Sequence, residues 1–260
     1  MKKIGNTGSF NNFYLNNQIY VDKTEYIYNL LNKEARVFIS RPRRFGKSLT
    51  LDTIGTLFEK GVDPFFKGTW IYDKWAEPTY PVFRLSFLNL DNSSLDLFKQ
   101  QLNSIISEFA IKISVKGYVE KTEPEDSILC LLEKLQEETR QIVILIDEYD
   151  YQLTSNINND DLYKEFQKKI KRIYANIKNK WAIKFLGITG VTRLKDVEIF
   201  SIGSDIKDIT NYSAYSQMIG FTRDEIKKYY IDYLKLAASC ESNCSVDKVT
   251  DAQIESMLDM

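Results

Sequence analysis

The fold of this chain is decided by the stretch Arg41-Pro42-Arg43-Arg44-Phe45-Gly46-Lys47-Ser48. It matches the phosphate-binding loop pattern G-x-x-x-x-G-K-[ST] at every fixed position except the first glycine, where Arg41 stands. The backbone N–H groups of such a loop surround the phosphates of a nucleotide. If position 41 needed a positive φ, arginine would strain the backbone, which leaves the tightness of binding open. The stretch predicts a nucleoside triphosphate site, and a basic turn without a ligand is the alternative.

The residues on both sides of the loop predict the strand and the helix that such a loop requires. Residues 35–40 are mostly apolar, as in a short buried strand, and residues 48–60 place four apolar side chains near one side of a helix. We expect Gly46 to let the backbone approach the phosphates and Lys47 to pair with the β- and γ-phosphates. We expect the Ser48 hydroxyl to bind Mg²⁺.

A second segment strengthens this interpretation. Residues 141–150 form an apolar run that ends in acidic residues, which is typical of a central parallel strand buried on both faces. At its end, Asp147 is expected to hold the magnesium ion and Glu148 to polarise the attacking water. On an extended chain the two carboxylates point to opposite sides, so that they can divide these roles. The pair favours hydrolysis over phosphoryl transfer, and a solvated acidic turn is the alternative.

Composition and charge restrict the class of protein. The chain has 260 residues, of which 43% are hydrophobic and 27% charged, and a net charge of −1, so nothing attracts it as a whole to nucleic acid or a membrane surface. It contains no histidine, which excludes histidine catalysis and histidine metal ligands. Its three cysteines are too few for a disulfide framework. Because it also has no membrane-spanning run and no secretion signal, we expect a cytoplasmic protein.

Strand-like and helix-like segments alternate along most of the chain. Strands are predicted at 35–40, 82–88, 141–150 and 182–188, and helices at 24–32, 48–60, 93–113, 127–138 and 160–180. The alternation indicates right-handed crossovers and a mainly parallel central sheet between two helical layers, with ligands at the carboxyl ends of the strands. We predict an α/β phosphate-loop domain over residues 1–212. We predict a small helical appendage over 213–260, in which the capping box Thr222-Arg223-Asp224-Glu225 opens a helix.

These motifs together resemble the predicted AAA-ATPase-like family, a phosphate-loop group related to AAA+ and signal-transducing NTPases. The resemblance covers about residues 10–235 and rests on Tyr20-Val21-Asp22-Lys23-Thr24, the loop through Leu49, Ile146-Asp147-Glu148-Tyr149-Asp150, Thr189-Gly190-Val191-Thr192-Arg193, Ile199-Phe200-Ser201, Asp208-Ile209-Thr210 and Gly220-Phe221-Thr222. An arginine at position 41 belongs to the pattern of that family.

The resemblance implies ATP as the nucleotide and Mg²⁺ as the metal ion. It implies nucleotide contacts along residues 41–49, with Lys47 on the phosphates, Ser48 and Asp147 on the metal and Glu148 on the water. Thr189 falls where such ATPases keep a polar sensor of the γ-phosphate. Members are often fused to a C-terminal nuclease-like domain of the PD-(D/E)XK type, for which the residues after 235 are too few. We therefore expect a truncated piece, a gene fragment or a stand-alone ATPase module, without nuclease activity.

Further basic residues suggest partners. Arg193 could reach a γ-phosphate in its own subunit or in a neighbour, and a surface arginine is the alternative. Arg43 and Arg44 could bind phosphate or a partner carboxylate. Seven basic residues make the helix at 160–180 strongly basic, which usually indicates a solvated face: Lys164, Lys168, Lys169, Lys171, Arg172, Lys178 and Lys180. A second copy of the chain, another protein and, more weakly, nucleic acid are the partners considered, and no membrane is expected.

Two functions remain open from the sequence, beside a weaker third, a nucleic-acid-binding module that uses the basic helix at 160–180. The first is Mg²⁺-dependent ATP binding and hydrolysis. The alternative is a switch or scaffold that binds ATP, turns it over negligibly and controls a partner or a nuclease-like domain.

Overall fold

The core of the molecule is one sheet of parallel strands. A computed structural model describes residues 1–5, 7–192 and 205–259. Within these ranges the strands are β1 (Arg36–Ser40), β2 (Val82–Ser86), β3 (Ile142–Asp147), β4 (Ile183–Gly190) and β5 (Lys207–Asp208). They are arranged in the order β2-β3-β4-β1-β5, and every neighbouring pair is parallel. The predicted α/β fold with a parallel central sheet is confirmed.

Helices precede, connect and follow these strands. They are α1 (Phe10–Leu15), α2 (Thr24–Leu31), α3 (Lys47–Lys60), α4 (Leu95–Lys112), α5 (Pro124–Glu137), α6 (Tyr151–Ser155), α7 (Asp160–Ile177), α8 (Arg223–Tyr229), α9 (Ile231–Glu241) and α10 (Asp251–Asp259). The five helices predicted before residue 190 are confirmed within a few residues. The short helices α1 and α6 and the two-residue strand β5 were not predicted.

Three layers follow from the alternation of side chains along the strands. On β3, Ile144 and Ile146 join the apolar cluster formed with α4, α5 and α7. Val143 and Leu145 join the opposite cluster, formed with α2 and α3. Because successive side chains of a strand point to opposite faces, a run that is apolar throughout can fill both clusters. The sheet is therefore covered on both faces, and its carboxyl edge remains as the place for a site.

The acidic end of β3 differs from the sequence prediction. The strand ends at Asp147, and Glu148 has a φ of 51°, in the left-handed region. The prediction that both carboxylates lie on extended chain and point to opposite sides is therefore wrong. The chain turns at Glu148, where the strand has ended, and helix α6 begins at Tyr151.

The basic helix α7 contains one residue that does not belong to its solvated face. Lys169 is only 6% exposed, and its Nζ donates to Glu123 and, at 2.9 and 3.0 Å, to both carboxylate oxygens of Glu125. The assignment of Lys169 to an exposed basic surface is wrong, because this side chain ties α7 to the start of α5. Lys164, Lys168, Lys171 and Arg172 are exposed.

The C-terminal helices are joined to the beginning of the chain by an ion pair. The capping box at α8 is confirmed, with Thr222 accepting from the Glu225 N–H and Glu225 accepting from the Thr222 N–H. The same Glu225 carboxylate accepts from Lys23 Nζ, which is 7% exposed and precedes α2. The boundary of a separate appendage at residue 213 stays a prediction.

Two further properties of the described residues concern membrane-spanning helices and cysteines. None of the helices in the described residues is long and apolar enough to cross a membrane. Cys130, Cys240 and Cys244 are free thiols, as expected for a chain with few cysteines.

The buried lysine gives a test of this architecture. We expect Lys169→Met to lower the free energy of unfolding by about 3 kcal/mol, because it leaves the buried carboxylate of Glu125 without its hydrogen-bonded cation. Glu123 is only part-buried and keeps its ion pair with Lys99. The matched control is its exposed neighbour, and Lys168→Met should stay within about 0.5 kcal/mol of wild type. Urea unfolding measures both. Equal stability of the two variants would contradict the buried placement of Lys169.

Candidate nucleotide site

The loop between β1 and α3 turns the chain through two left-handed residues. Gly46 is the N-cap of α3 with a φ of 94°, and Arg44 has a φ of 68°. A Cβ on Gly46 would meet no atom within 4 Å, so glycine is needed there for its backbone conformation and not for space. The first N–H groups of α3 have no partner inside the helix and, with the helix dipole, favour an anion at this end.

Arg41, which replaces the first glycine of the pattern, does not adopt a positive φ. The concern that arginine strains the loop therefore does not apply at this position. Its guanidinium Nη1 donates to the carbonyl oxygens of Thr210, at 2.7 Å, and Ser40, at 3.0 Å. The side chain thus fixes the end of β1 to the segment that follows β5, on the side of β1 away from the acids of β3.

Lys47 is the first residue of α3, and it is 5% exposed. Its Nζ donates to the carbonyl oxygens of Arg41, at 2.8 Å, and Pro42, at 3.0 Å. Burial lowers the pKa of Lys47, whereas the negative charges of Asp147 and Glu148 raise it in part. A buried lysine at a helix N-terminus favours the binding of a phosphate group. The pKa of this lysine is shifted and two carboxylates lie nearby, which marks the loop as a candidate functional site.

Strand β4 lies between the loop strand and the acidic strand, and its end holds the acids in place. The Thr189 hydroxyl donates to Asp147 Oδ1, which also accepts from the Glu148 N–H at 3.1 Å. The Thr189 carbonyl accepts from the Tyr149 N–H at 3.1 Å. The position predicted for a γ-phosphate sensor is therefore in direct contact with the predicted metal carboxylate.

Glu148 is half-buried beside like and unlike charges. Burial, followed by the negative charge of Asp147, raises the pKa of Glu148, whereas Lys47 and Arg43 act in the opposite direction. A carboxylate with a raised pKa is a better proton acceptor than one with the usual pKa. This property suits a group that activates water.

Asp150 and Gly190 have structural roles that the sequence did not reveal. Asp150 is 2% exposed and accepts from the Val191 N–H at 3.1 Å and the Thr192 N–H at 2.5 Å, which fixes the chain after β4. A Cβ on Gly190 would lie 2.4 Å from the Tyr149 ring and 2.9 Å from Asp150 Oδ1. Only glycine fits at this position.

A cleft of about 240 Å³ lies beside the helix N-terminus and contains the predicted metal ligands Ser48 and Asp147. Ser86, which is in register with Asp147, and Asn89 also line it and were missed by the sequence analysis. The signal for Ser86 was its place at the end of the neighbouring strand. These oxygen donors fit Mg²⁺, which is usually held by one or two carboxylates, phosphates and water. Within the described ranges, no three histidine, cysteine or acidic residues cluster as a metal site.

A larger cleft, of about 420 Å³, lies elsewhere, between the N-terminal segment, residues 65–69 and helices α8 and α9. It is lined by several aromatic side chains and by none of the loop residues 41–48. We assign the chemistry to the smaller cleft, because it is lined by Ser48, in the first turn of α3, and by Asp147, at the carboxyl end of β3.

The structure brings together five of the residues chosen from the sequence: Lys47, Ser48, Asp147, Glu148 and Thr189. Pro42, Arg43, Arg44 and Phe45 are exposed around the loop, and Leu49 is half-buried in the first turn of α3. Arg193 and the motif Ile199-Phe200-Ser201 lie outside the described residues.

Comparison with known proteins gives a family and one distant relative. A family model described as "Predicted AAA-ATPase" matches residues 4–200. A curated protein of Azotobacter chroococcum mcd 1, described as an uncharacterized protein in the vnfD 5' region, is 30% identical over 240 residues. The match covers 82% of this chain and 45% of the relative, so the chain spans about half of that protein's length. No solved structure is significantly similar.

The charges around Glu148 predict a stability that depends on pH. The pKa of Glu148 is raised above its usual 4.5 by folding, so its ionised form destabilises the folded state. We expect Glu148→Gln to raise the melting temperature at pH 7. The difference should shrink as the pH falls through the raised pKa and vanish below the usual value, where the wild-type carboxyl is protonated in both states.

The matched control is an exposed glutamate on α5, and Glu133→Gln should leave the melting temperature unchanged at all pH values. Thermal unfolding between pH 4 and pH 8 measures both variants. A Glu148→Gln protein that is no more stable than wild type at pH 7 would contradict this account of the charges.

Proposed function

The chain belongs to the predicted AAA-ATPase family, and from that premise we propose that it binds ATP with Mg²⁺ at the loop of residues 41–49 and hydrolyses it. The observation that carries the proposal is the cleft in which Ser48, at the N-terminus of α3, and Asp147, at the end of β3, lie together. A helix N-terminus for phosphate and a carboxylate for the metal ion are the two parts that nucleotide hydrolysis needs at one place.

The loop residues bind the phosphates. The N–H groups at the start of α3 donate to oxygens of the β-phosphate, and Lys47 exchanges the carbonyl oxygens of its own loop for oxygens of the β- and γ-phosphates. Arg43 and Arg44 are exposed beside the loop and add positive charge where phosphate oxygens lie. Ser48 and Asp147 hold Mg²⁺, which when bound neutralises negative charge on the β- and γ-phosphate oxygens.

The acidic end of β3 orients the water. Glu148 accepts a hydrogen bond from a water molecule in line with the γ-phosphate and takes its proton as the oxygen attacks phosphorus and the bond to the ADP oxygen breaks. Thr189 keeps Asp147 in place through its hydroxyl, and we propose that this hydroxyl turns from Asp147 to donate to the γ-phosphate when the nucleotide binds. Arg193 follows in sequence, and a contact of its guanidinium with the transferred phosphoryl group remains a proposal.

A second candidate function is an ATP-binding switch with negligible turnover. It is favoured by one contact, the hydrogen bond from the Arg41 side chain to the Thr210 carbonyl, which connects the loop directly to the segment leading into the C-terminal helices. In this alternative the bound nucleotide changes how those helices meet a partner or a further domain, and hydrolysis is incidental.

Nucleotide binding is tested by removing the loop lysine. We expect Lys47→Ala to weaken Mg²⁺-dependent binding of a nonhydrolysable ATP analogue by a factor of at least about ten, because the variant loses a charge-assisted contact to phosphate. Isothermal titration of the full chain measures the affinity, and the exposed Lys33→Ala serves as the matched control. If the wild-type protein does not bind the analogue, or if the two variants bind it equally, nucleotide binding at this loop is refuted.

Hydrolysis is tested separately at Glu148. We expect Glu148→Gln to reduce kcat for ATP by about 10² to 10⁴, the usual contribution of a positioned base, while affinity for the analogue is retained. Phosphate release under saturating Mg²⁺-ATP is the measurement. Equal turnover near zero for wild type and variant, with both binding ATP, would instead establish the switch.

A further inference from the structure

The proposed function fixes the direction in which a nucleotide lies on the loop, and the present inference rests on that function. A bound γ-phosphate would lie next to Asp147 and Glu148, because Ser48 and Asp147 would hold the metal ion that neutralises the β- and γ-phosphates. These acids lie at the carboxyl end of β3, on one side of β1, and β5 lies on the other side. A triphosphate that begins at the acids therefore directs its nucleoside toward the side of β5.

The chain on that side of the loop is held in a fixed place. After β5, the Ile209 N–H donates to the Phe38 carbonyl at 2.9 Å, and Thr210 Oγ1 accepts from the Ser40 N–H at 3.0 Å. Arg41 holds the Thr210 carbonyl, as described above. Further along, the ion pair of Glu225 with the buried Lys23 fixes the start of α8. Residues 209–225 are thus anchored at both ends against β1, the loop and α2.

Two exposed aromatic side chains lie where this segment meets the loop. Phe45, in the loop, is 49% exposed, and Phe221, before α8, is 60% exposed. Gly220, which precedes Phe221, has a φ of 91°, and a Cβ on it would lie 3.6 Å from the Phe45 ring. The Phe221 ring is also supported by Tyr230, at 6.4 Å between centroids. Exposed aromatic rings beside a nucleotide loop offer flat apolar faces on which a base can stack.

We propose that the base of the bound nucleotide stacks on Phe221 at the mouth of the loop, with Phe45 on the adjoining side. An aromatic ring accepts the flat face of any base, because every base has a π-face. The chemical class recognised here is therefore a nucleobase without strong selection for its identity. The two phenylalanines add affinity for the nucleoside, while the loop and the acids bind the phosphates.

The experiment compares ligands that have a base with one that has none. Isothermal titration of the full chain with Mg²⁺ uses nonhydrolysable analogues of ATP and GTP and, as the probe without a base, inorganic tripolyphosphate. We expect Phe221→Ala to weaken both nucleotides by about 5- to 100-fold and to leave tripolyphosphate unchanged. Phe221→Leu, which keeps apolar area without a ring, should lose most of the same affinity, and Phe221→Tyr should retain it.

The matched control is Trp181→Ala, because Trp181 is an exposed aromatic residue far from the site. It is 47% exposed and lies just before β4, at the amino ends of the strands. It should leave all three affinities unchanged. The proposal is overturned if Phe221→Ala leaves nucleotide affinity unchanged while Lys47→Ala abolishes it, or if it weakens tripolyphosphate as much as the nucleotides. If wild-type protein binds neither nucleotide nor tripolyphosphate, the proposed function itself fails, and this inference with it.

Discussion

The parallel direction of all strands in the described sheet is the constraint on which the site depends. Because every strand runs the same way, the loop after β1, Thr189 at the end of β4 and Asp147 at the end of β3 meet at one edge. The order of the strands matters as much as their direction. With β4 between β1 and β3, the hydroxyl of Thr189 reaches Asp147, and Gly190 leaves room for the Tyr149 ring. A bulkier residue at this place would displace the Tyr149 ring and the Asp150 carboxylate.

Much of this arrangement could be predicted from the sequence because it depends on local signals. The apolar run of β3, the amphipathic helices and the capping box at α8 each occupy a few consecutive residues, and they were predicted nearly at their observed positions. Strand β5 escaped prediction because two residues carry no periodicity. Lys169 was assigned to the wrong face because its partners, Glu123 and Glu125, are more than forty residues away in sequence.

The site was predictable in its parts but not in its connections. The loop pattern indicated which residues bind phosphate, but the reach of Arg41 to Thr210 depends on how β5 pairs with β1, which no short pattern contains. The conformation of Glu148 was likewise hidden, since a glutamate rarely has a positive φ and nothing in the sequence forces one. Local backbone strain at such a position is common at functional sites, where the surroundings hold the residue in place.

The contacts of Lys47 with the carbonyl oxygens of Arg41 and Pro42 have a consequence for how a ligand is received. A lysine side chain that moves freely loses up to about 2 kcal/mol of rotamer entropy when it is immobilised. Here that ordering is already complete in the folded protein, because the ammonium group is held by oxygen atoms of its own loop. A bound anion then replaces the carbonyl oxygens as the partner of the ammonium group. Because Lys47 loses its rotamer entropy when the protein folds, little further entropy is lost when the anion binds.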